Sequence, residues 1–394
     1  MATEKGVWNL QEVRDKILAS EWEYNGNNQL WSWGQGEWIG SPVSPNNQTI
    51  VTSPQQISAT YGNAWQLEKY NGHATQNSGA IKNGELWVWG KQSSGQMGQN
   101  AGTGGGNASQ SPIRVGTDNN WASYSTGGTT SLGIKTDGTL WAWGYGLYAT
   151  LGLNQSGPTL KRSSPTQVGS GTDWSTSSTA LAGSLYHSSA IKNDGTLWIW
   201  GGGGQGSIGD NAQVHRSSPC QVPGTTWKMA ALGDNWTMAI KTDGTLWGWG
   251  AGSKKGAPGG SRSSPTQVGT ATNWAYVNAG ERSSMAVATD GTLWSWGYNT
   301  HGQLGQNNKS SSTTPKQVGT DTTWSTTSRP FVVDQGHGAI KTDGTLWMWG
   351  DNEHGEVGQA PNDGYSSPTQ VGTDTTWVLM TGAMESVLAQ KDVP

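Results

Sequence analysis

The sequence has little charge, a single cysteine and a single phenylalanine. Only 13% of its 394 residues are Asp, Glu, Lys or Arg, and the formal net charge is −4. Lysines and arginines are scattered, so the basic patch that recognises nucleic acid is missing and we expect no nucleic-acid partner. Cys220 has no second cysteine in the sequence, which excludes an intramolecular disulfide.

Long apolar runs are missing as well. No segment approaches the roughly 18 consecutive apolar residues of a membrane-spanning helix. The first residues lack a basic stretch followed by an apolar one, so the sequence predicts neither Sec-dependent export nor membrane insertion. Gly and Trp are abundant instead, with 60 and 25 copies. This composition is too aromatic for disorder, and short apolar runs between Gly-, Pro-, Asn- and Ser-rich turns predict an all-β fold.

One motif, Leu-Trp-x-Trp-Gly, recurs at a period of about 50 residues, which is typical of radial or solenoid repeats. The two-residue period of a strand places both tryptophans on one face and the smaller residues on the other. Bulky faces packed against thin faces suit sheets that stack around a ring. The seven copies are Leu30–Gly34, Leu86–Gly90, Leu140–Gly144, Leu197–Gly201, Leu246–Gly250, Leu293–Gly297 and Leu346–Gly350.

A hairpin precedes the motif in six repeats. Five hairpins contain Asp-Gly, whereas the first has Asn83-Gly84 and is one residue shorter. The side chains of equivalent strand positions must point to the same face of the blade in every repeat. This requires a three-residue loop with a left-handed glycine, such as 136–138, in the five Asp-Gly hairpins, and a two-residue turn in the Asn83-Gly84 hairpin. Both versions then pair the aliphatic residue with the motif leucine, as in Ile134 with Leu140.

Two further features follow each motif. A Ser-Pro-x-Gln-Val segment or near variant predicts an edge strand, because proline removes a ladder hydrogen bond. A third tryptophan comes next, so three per repeat account for 21 of the 25. We therefore interpret the tryptophans as core residues and not as ligand platforms.

The termini complement each other. The first motif lacks its preceding strand, and 386–392 resembles that strand. This predicts that the C-terminal strand pairs with Leu30–Gly34 and closes the ring. The sequence thus predicts an all-β, seven-bladed β-propeller over residues 25–394, preceded by a segment of residues 1–24.

The N-terminal segment has a helical pattern over Asn9–Trp22. Its apolar stripe either packs on the propeller or docks the chain onto a larger assembly. The stripe consists of Leu10, Val13, Ile17, Leu18 and Trp22.

The hairpin, the motif, the Gly-Gln-Leu-Gly run at Gly302–Gly305 and the Pro-x-x-Val element resemble the regulator of chromosome condensation repeat, a family of seven-bladed β-propellers. The resemblance covers about residues 27 to 392. The founding eukaryotic member exchanges nucleotide on a small GTPase and binds chromatin through a basic tail. Because no basic run is present here, we expect neither activity to transfer. The regular repeats and the segment Gly6–Asp15 also resemble structural proteins of marine tailed bacteriophages.

No catalytic, cofactor or metal site is predicted. Gly204–Gly209 fits G-x-G-x-x-G, but its sister repeats share the register and no helix pattern follows. The six histidines show no metal-binding spacing, and Cys220 has no evident histidine partner. Turn chemistry explains the aspartates before glycine, which are Asp137, Asp194, Asp243, Asp290 and Asp343.

Variation between repeats concentrates in loops, which are either tolerated surface segments or an adhesive rim. The candidate rim contacts are Trp38, Tyr148, Lys254, Lys255, Arg262 and Phe331.

Our leading hypothesis is a non-enzymatic virion surface protein of a tailed phage, assembled in the host cytoplasm and placed on the tail fibre or capsid. It would bind other virion proteins through the N-terminal helix and a host glycan or protein through its rim. The alternatives are an intracellular propeller that binds a protein partner such as a small GTPase, and a sugar-binding lectin.

Overall fold

The computed structural model describes residues 28–35, 50–57, 64–67, 70–73, 77–100, 109–157, 159–252, 260–332, 335–383 and 386–392. These residues form strands and turns and contain no α-helix. The helix predicted over Asn9–Trp22 and the segment 1–24 lie outside the described residues.

The strands are short and follow one another at regular intervals. In the first third of the chain they are β1 (Gln29–Gln35), β2 (Ile50–Gln56), β3 (Trp65–Gln66), β4 (Tyr70–His73), β5 (Asn77–Lys82), β6 (Glu85–Gly90), β7 (Ser109–Arg114), β8 (Trp121–Gly127) and β9 (Thr130–Lys135). The next are β10 (Leu140–Tyr145), β11 (Lys161–Gln167), β12 (Leu181–Gly183), β13 (His187–Ile191), β14 (Leu197–Gly201), β15 (Arg216–Gln221), β16 (Trp227–Leu232), β17 (Trp236–Lys241), β18 (Leu246–Gly250) and β19 (Arg262–Gln267). The last are β20 (Trp274–Ala279), β21 (Ser283–Ala288), β22 (Leu293–Gly297), β23 (Ser312–Gln317), β24 (Phe331–Val332), β25 (Gly336–Ile340), β26 (Leu346–Asn352), β27 (Asn362–Gln370), β28 (Trp377–Ala383) and β29 (Ser386–Lys391).

The described strands assemble into seven sheets, which we call blades I to VII. In order along each sheet, blade I is β3-β5-β6-β7, blade II is β8-β9-β10-β11, blade III is β12 to β15, blade IV is β16 to β19, blade V is β20 to β23, blade VI is β24 to β27 and blade VII is β28-β29-β1-β2. Strand β4 adds a fifth, parallel strand beside β8. The seven-bladed propeller predicted from the repeats is confirmed.

Each blade has a buried inner strand and a more exposed outer strand. Every residue of β8 is buried, whereas β11 is only partly covered. Inner strands of adjacent blades contact each other, as β16 and β20 do. The Ser-Pro-x-Gln-Val segments form the outer strands, so the prediction that proline marks an edge is confirmed.

The hairpins have the two predicted lengths. Ile134 pairs with Leu140 across a loop whose Gly138 has φ +76°, and Ile81 pairs with Leu86 across a turn in which Asn83 and Gly84 both have positive φ. The shorter turn is therefore of the primed, two-residue type. Strand facing is the same in both versions.

The ring closes within blade VII. Strand β29 pairs antiparallel with β1, from Gln29 opposite Lys391 to Gly34 opposite Ser386. The predicted pairing of the C-terminal strand with the first motif is confirmed. Among the described residues, no helix is long and apolar enough to cross a membrane.

The three tryptophans of a repeat differ in burial. The second one of each motif and the third one, which precedes or begins the inner strand, are buried, whereas the first is partly exposed. The third tryptophan packs edge-on against the first, with ring centroids 6.5 Å apart for Trp121 and Trp141. The core therefore repeats as a set of aromatic pairs near one end of every blade.

Candidate interaction site

The propeller has two ends with different chemistry. The hairpin face carries the hairpin loops, such as 136–138, and the links that lead into each inner strand, such as 168–173. The loop face carries the turns between the first two strands of each blade, such as 128–129, and the long segments between the third and fourth strands, such as 146–160.

On the hairpin face the repeated aspartates hold the turns and the first tryptophan. The Asp137 carboxylate accepts hydrogen bonds from the amide and the hydroxyl of Thr139, at 3.0 and 2.6 Å. The Thr139 hydroxyl in turn accepts the indole N–H of Trp141. The same network occurs at Asp194, Asp243, Asp290 and Asp343.

These hydrogen bonds explain the ring of carboxylates without a metal. The bond from the threonine hydroxyl, followed by the bond from its amide, holds the pKa of each of the five aspartates below the ordinary value. Among the described residues, no group of three or more His, Cys, Asp or Glu side chains is placed to hold a metal ion.

A lysine lies over the aromatic pair in several blades. The Nζ of Lys135 is 5.1 Å from the ring centroid of Trp121 and 4.0 Å from that of Trp141, and it forms a 2.9 Å ion pair with Asp118. Such contacts stabilise an ammonium through the negative face of the indole. The same two-ring arrangement holds Lys192, Lys241, Lys341 and Lys391.

Blade V departs from this pattern. Ala288 stands where the other blades have lysine, and Ala271 stands where Asp118 stands in blade II. A cavity of about 480 Å³ opens there, lined by both alanines and by Trp274 and Trp294. The hairpin face therefore has an open aromatic site in one blade.

On the loop face the second tryptophan joins neighbouring blades. The indole N–H of Trp143 in blade II donates to the carbonyl of Gln96 in blade I, at 2.9 Å. The side chain of Gln96 accepts the amide of Ser94 and so orders its own loop. Trp33, Trp200, Trp249 and Trp349 make the equivalent bond to the preceding blade.

An aromatic cluster lies on the loop face between blades II and III. It consists of Tyr148, Tyr186 and His215, with Tyr148 meeting Tyr186 edge-on at 4.9 Å and His215 at 6.5 Å between ring centroids. Tyr148 is 39% exposed, and Val214 beside the cluster is 48% exposed. The amide of Gly203 donates to Nδ1 of His215, which fixes the imidazole.

Two carboxyl groups act electrostatically on the cluster. Burial, and then the charge of Asp234, raises the pKa of Tyr186, with smaller contributions from Tyr148 and Glu281. Tyr186 therefore remains a neutral hydrogen-bonding phenol at physiological pH.

Buried and partly buried polar groups join the blades near the inner strands. His187 bridges Ser184 and Thr237 through its two ring nitrogens, and His337 contacts the hydroxyl of Ser283 at 2.7 Å. Arg329 precedes β24 and donates to the carbonyl of Ser178 in blade III, and burial lowers its pKa to about 10. These groups have structural partners and form no catalytic arrangement.

The structure separates the predicted rim residues. Tyr148 is exposed and belongs to the aromatic cluster, and Arg262 is exposed at the start of β19. Phe331 is only 2% exposed and packs in the core with Trp377, so its prediction as a rim contact is wrong. The physical reason is that Phe331 begins an inner strand, where an apolar ring faces the next blade. Trp38, Lys254, Lys255 and the helix residues Leu10, Val13, Ile17, Leu18 and Trp22 lie outside the described residues.

Sequence reasoning missed two features of these faces. Tyr186 and His215 stand in segments without a readable motif, and only the packing of two blades brings them to Tyr148. The blade V cavity did leave a signal, since the repeat that reads Ala286-Val287-Ala288 ends in alanine where five sister repeats end in lysine.

Comparison with known proteins agrees with the geometry. The sequence profile of the regulator of chromosome condensation (RCC1) repeat matches residues 194–240, 290–328 and 343–383, and a second profile of that repeat matches residues 274–303. The RCC1 domain-containing protein RUG3, mitochondrial, of Arabidopsis thaliana is 29% identical over 153 residues, which are 38% of this chain. The match spans about a third of that relative's own length, 33%.

Solved propellers superpose on nearly the whole chain. Yeast RCC1 (Prp20), crystallised bound to Kap60, has a TM-score of 0.78 at 16% identity and covers 94% of this chain and 90% of its own. Prp20p from Saccharomyces cerevisiae, described with its binding properties to Gsp1p and histones, gives 0.77 at 16% identity, with 94% of each chain covered. Human WBSCR16 gives 0.76 at 16% identity, with 93% of this chain and 99% of its own covered. The chain is a seven-bladed β-propeller, and residues 194–240, 274–328 and 343–383 of it match the regulator of chromosome condensation repeat.

Proposed function

We propose that the protein is a non-enzymatic interaction propeller that binds a protein partner on its loop face. The observation that carries this proposal is the cluster of Tyr148, Tyr186 and His215, in which Tyr148 and His215 are exposed, as is the adjacent Val214. Exposed tyrosines held by their neighbours are typical anchors of protein interfaces, because a rigid ring buries a large area at little entropic cost.

The fold explains the burial of the repeat residues but gives the cluster no role. Tyr148 and Val214 belong to segments that lie outside the strand framework, and both expose apolar surface to solvent. Functional residues of a propeller are expected in such segments, because the strands only position them. The relatives crystallised with Kap60 or characterised with Gsp1p and histones support protein binding as a class of function. We do not carry any of those partners over to this chain.

The comparisons favour this alternative over the virion surface role that we inferred first from the sequence. The plant, yeast and human relatives give no support to a phage location. The sugar-binding alternative stays a prediction, which a glycan array with Tyr148→Ser as a control would test.

The test compares a double change at the cluster with a single change of a similarly exposed residue on the other face. We expect the double variant Tyr148→Ser, Val214→Ser to lose at least about 30-fold in capture of its partner, since one hot-spot tyrosine contributes about 2 kcal/mol or more. Val378→Ser is the control, because Val378 is 40% exposed and stands near the hairpin face at the start of β28.

The measurement is quantitative mass spectrometry of proteins retained by the immobilised wild-type and variant chains, followed by a binding titration with the purified partner. Retention of the same proteins, at the same level, by the double variant and by Val378→Ser would refute the loop-face site.

A further inference from the structure

Five blades show how this fold binds an ammonium group. In each, a lysine Nζ lies between 4.0 and 5.1 Å from the centroids of two tryptophan rings that meet edge-on. In blade II the ammonium also forms an ion pair with the link aspartate, Asp118, and the Thr139 hydroxyl holds the Trp141 indole. The arrangement is a cation site that the chain fills with its own side chain.

Blade V keeps the walls of this site and lacks the lysine. The rings of Trp274 and Trp294 are 5.9 Å apart at an angle of 78°, against 6.1 Å and 80° for Trp227 and Trp247 around Lys241. The indole of Trp294 is still held by Thr292. The rings therefore hold their positions without an ammonium between them, so the site is preorganised.

The missing lysine leaves real space. Thr292 is partly exposed, whereas its counterparts Thr139, Thr196, Thr245 and Thr345 are between 6% and 8% exposed. The cavity of about 480 Å³ lies within the size range of small-ligand sites, about 300–1,000 Å³.

Blade V also lacks the link aspartate that covers the solvent side of the site in blade II. In blade II, Asp118 in the link to the inner strand meets the ammonium at its solvent side, and its own side chain is 53% exposed. Exposed Ala271 stands at that position in blade V, so the approach from solvent is open. Lys228 of the neighbouring inner strand donates to the carbonyl of Ala275 and does not line the cavity.

Blade IV shows that the link aspartate is not needed. Gly224 and Thr226 stand at the two link positions that carry the aspartate in blades II and III, yet Lys241 lies 4.9 and 4.1 Å from its two rings. A negative group is also present in blade V, because the carboxylate of Asp290 lines the cavity and bonds to the Asn273 amide. Two indoles and a turn aspartate are thus sufficient in this fold.

We propose that the blade V cavity binds the side-chain ammonium of a lysine from a partner protein, between Trp274 and Trp294. The incoming lysine replaces in trans the one that the sister blades supply in cis. A lysine is the occupant that the geometry favours, because the sister sites accommodate its charge and its methylene stem between the same two indoles. The cavity is on the hairpin face, so this proposal does not depend on the loop-face site proposed above.

The test uses four peptides that differ in one central side chain: lysine, trimethyl-lysine, acetyl-lysine and norleucine. They are titrated against the full chain and followed by ligand-observed NMR. We expect the lysine peptide to bind at least tenfold more tightly than the acetyl-lysine and norleucine peptides, because both lack the positive charge that the indole faces attract. The trimethyl-lysine peptide shows whether the site also accepts a methylated lysine.

Filling the cavity should abolish binding. Ala288→Lys restores the sister arrangement, so the variant should fold with an unchanged or higher Tm and bind the lysine peptide at least tenfold more weakly. Thr320→Lys adds the same charge at an exposed link position and should leave binding intact. Trp294→Leu removes one wall and should also abolish binding, whereas Trp247→Leu removes the equivalent wall of the occupied blade IV site and should not.

A gain of function completes the design. Lys241→Ala opens the blade IV site, which has the same pair of rings, so the number of lysine peptides bound per chain should rise from one to two. Equal binding of the norleucine peptide, or binding that survives both Ala288→Lys and Trp294→Leu, would overturn the proposal. Binding of tetramethylammonium without binding of any peptide would overturn it too, in favour of a small quaternary amine.

Discussion

Two matched substitutions measure how much the indole hydrogen bonds between blades contribute to the free energy of unfolding. Trp349 and Trp296 occupy the same repeat position, and neither exposes any surface. The Nε1 of Trp349 donates to the carbonyl of Gln303 at 2.9 Å, whereas no acceptor for Nε1 of Trp296 lies among the described residues. Replacing each by phenylalanine removes the same atoms, so the lost packing largely cancels in the comparison.

The difference then reports the hydrogen bond. Trp349→Phe strips a buried carbonyl of its donor, which costs about 1–3 kcal/mol. Trp296→Phe leaves no carbonyl of the described residues without a donor, so among them it loses packing alone. We therefore expect Trp349→Phe to be the more destabilising variant by about 1–3 kcal/mol, and Trp143→Phe, which loses the bond to Gln96, to behave like Trp349→Phe.

Urea unfolding followed by far-UV circular dichroism measures this difference, because that signal does not depend on the substituted fluorophore. With a slope of about 3 kcal/mol per M, the midpoints should differ by about 0.3–1 M. Equal midpoints for Trp349→Phe and Trp296→Phe would show that the indole hydrogen bonds between blades add no net stability.

Two further predictions concern buried groups and turns. Burial lowers the pKa of His337 to about 3 from 6.5, so the unfolded chain alone takes up this proton between those values. The contribution of His337 to the free energy of unfolding should be fully present above about pH 6.5, and its protonation in the unfolded chain should lower that free energy by about 2 kcal/mol at pH 5. The urea midpoint of His337→Gln should therefore fall less between pH 7.5 and 5 than that of the wild-type chain. Gly138→Ala should cost more than about 3 kcal/mol, because its φ is +76° and the new Cβ would lie 2.2 Å from the Thr172 carbonyl oxygen. Gly116→Ala, with φ +60° and no atom within 4 Å, should cost only about 1–2 kcal/mol in thermal unfolding.

Periodicity explains why the fold was predictable. The seven copies of Leu-Trp-x-Trp-Gly all predict the same orientation of the strand side chains. The one-residue difference between the Asn83-Gly84 turn and the Asp137-Gly138 loop is enough to fix the hairpin register. Closure through β29 was predictable because each terminus lacked what the other had. Physical rules that depend on nearby residues were sufficient for all of these features.

The interaction sites were harder to predict from the sequence, because their residues do not follow the repeat. Contacts between Tyr148, Tyr186 and His215 join segments of two blades whose spacing obeys no repeat. The burial of Phe331 depends on its place at the start of an inner strand, which the irregular sequence around it concealed. By contrast, Ala288 was readable as a departure from the repeat, but its consequence depends on the three-dimensional position of the lysines in other blades.

Closure of blade VII has a consequence for synthesis on the ribosome. Strand β1 is among the first parts of the propeller to emerge, yet its partner β29 is translated about 350 residues later. At about 5–20 residues per second, β1 waits roughly 20–70 s for that partner. During this interval the nascent chain carries an unpaired edge on a Trp-rich strand, which is a template for pairing between neighbouring chains on a polysome. Slowing any codons between β1 and β29 lengthens this interval, and it should therefore increase aggregation.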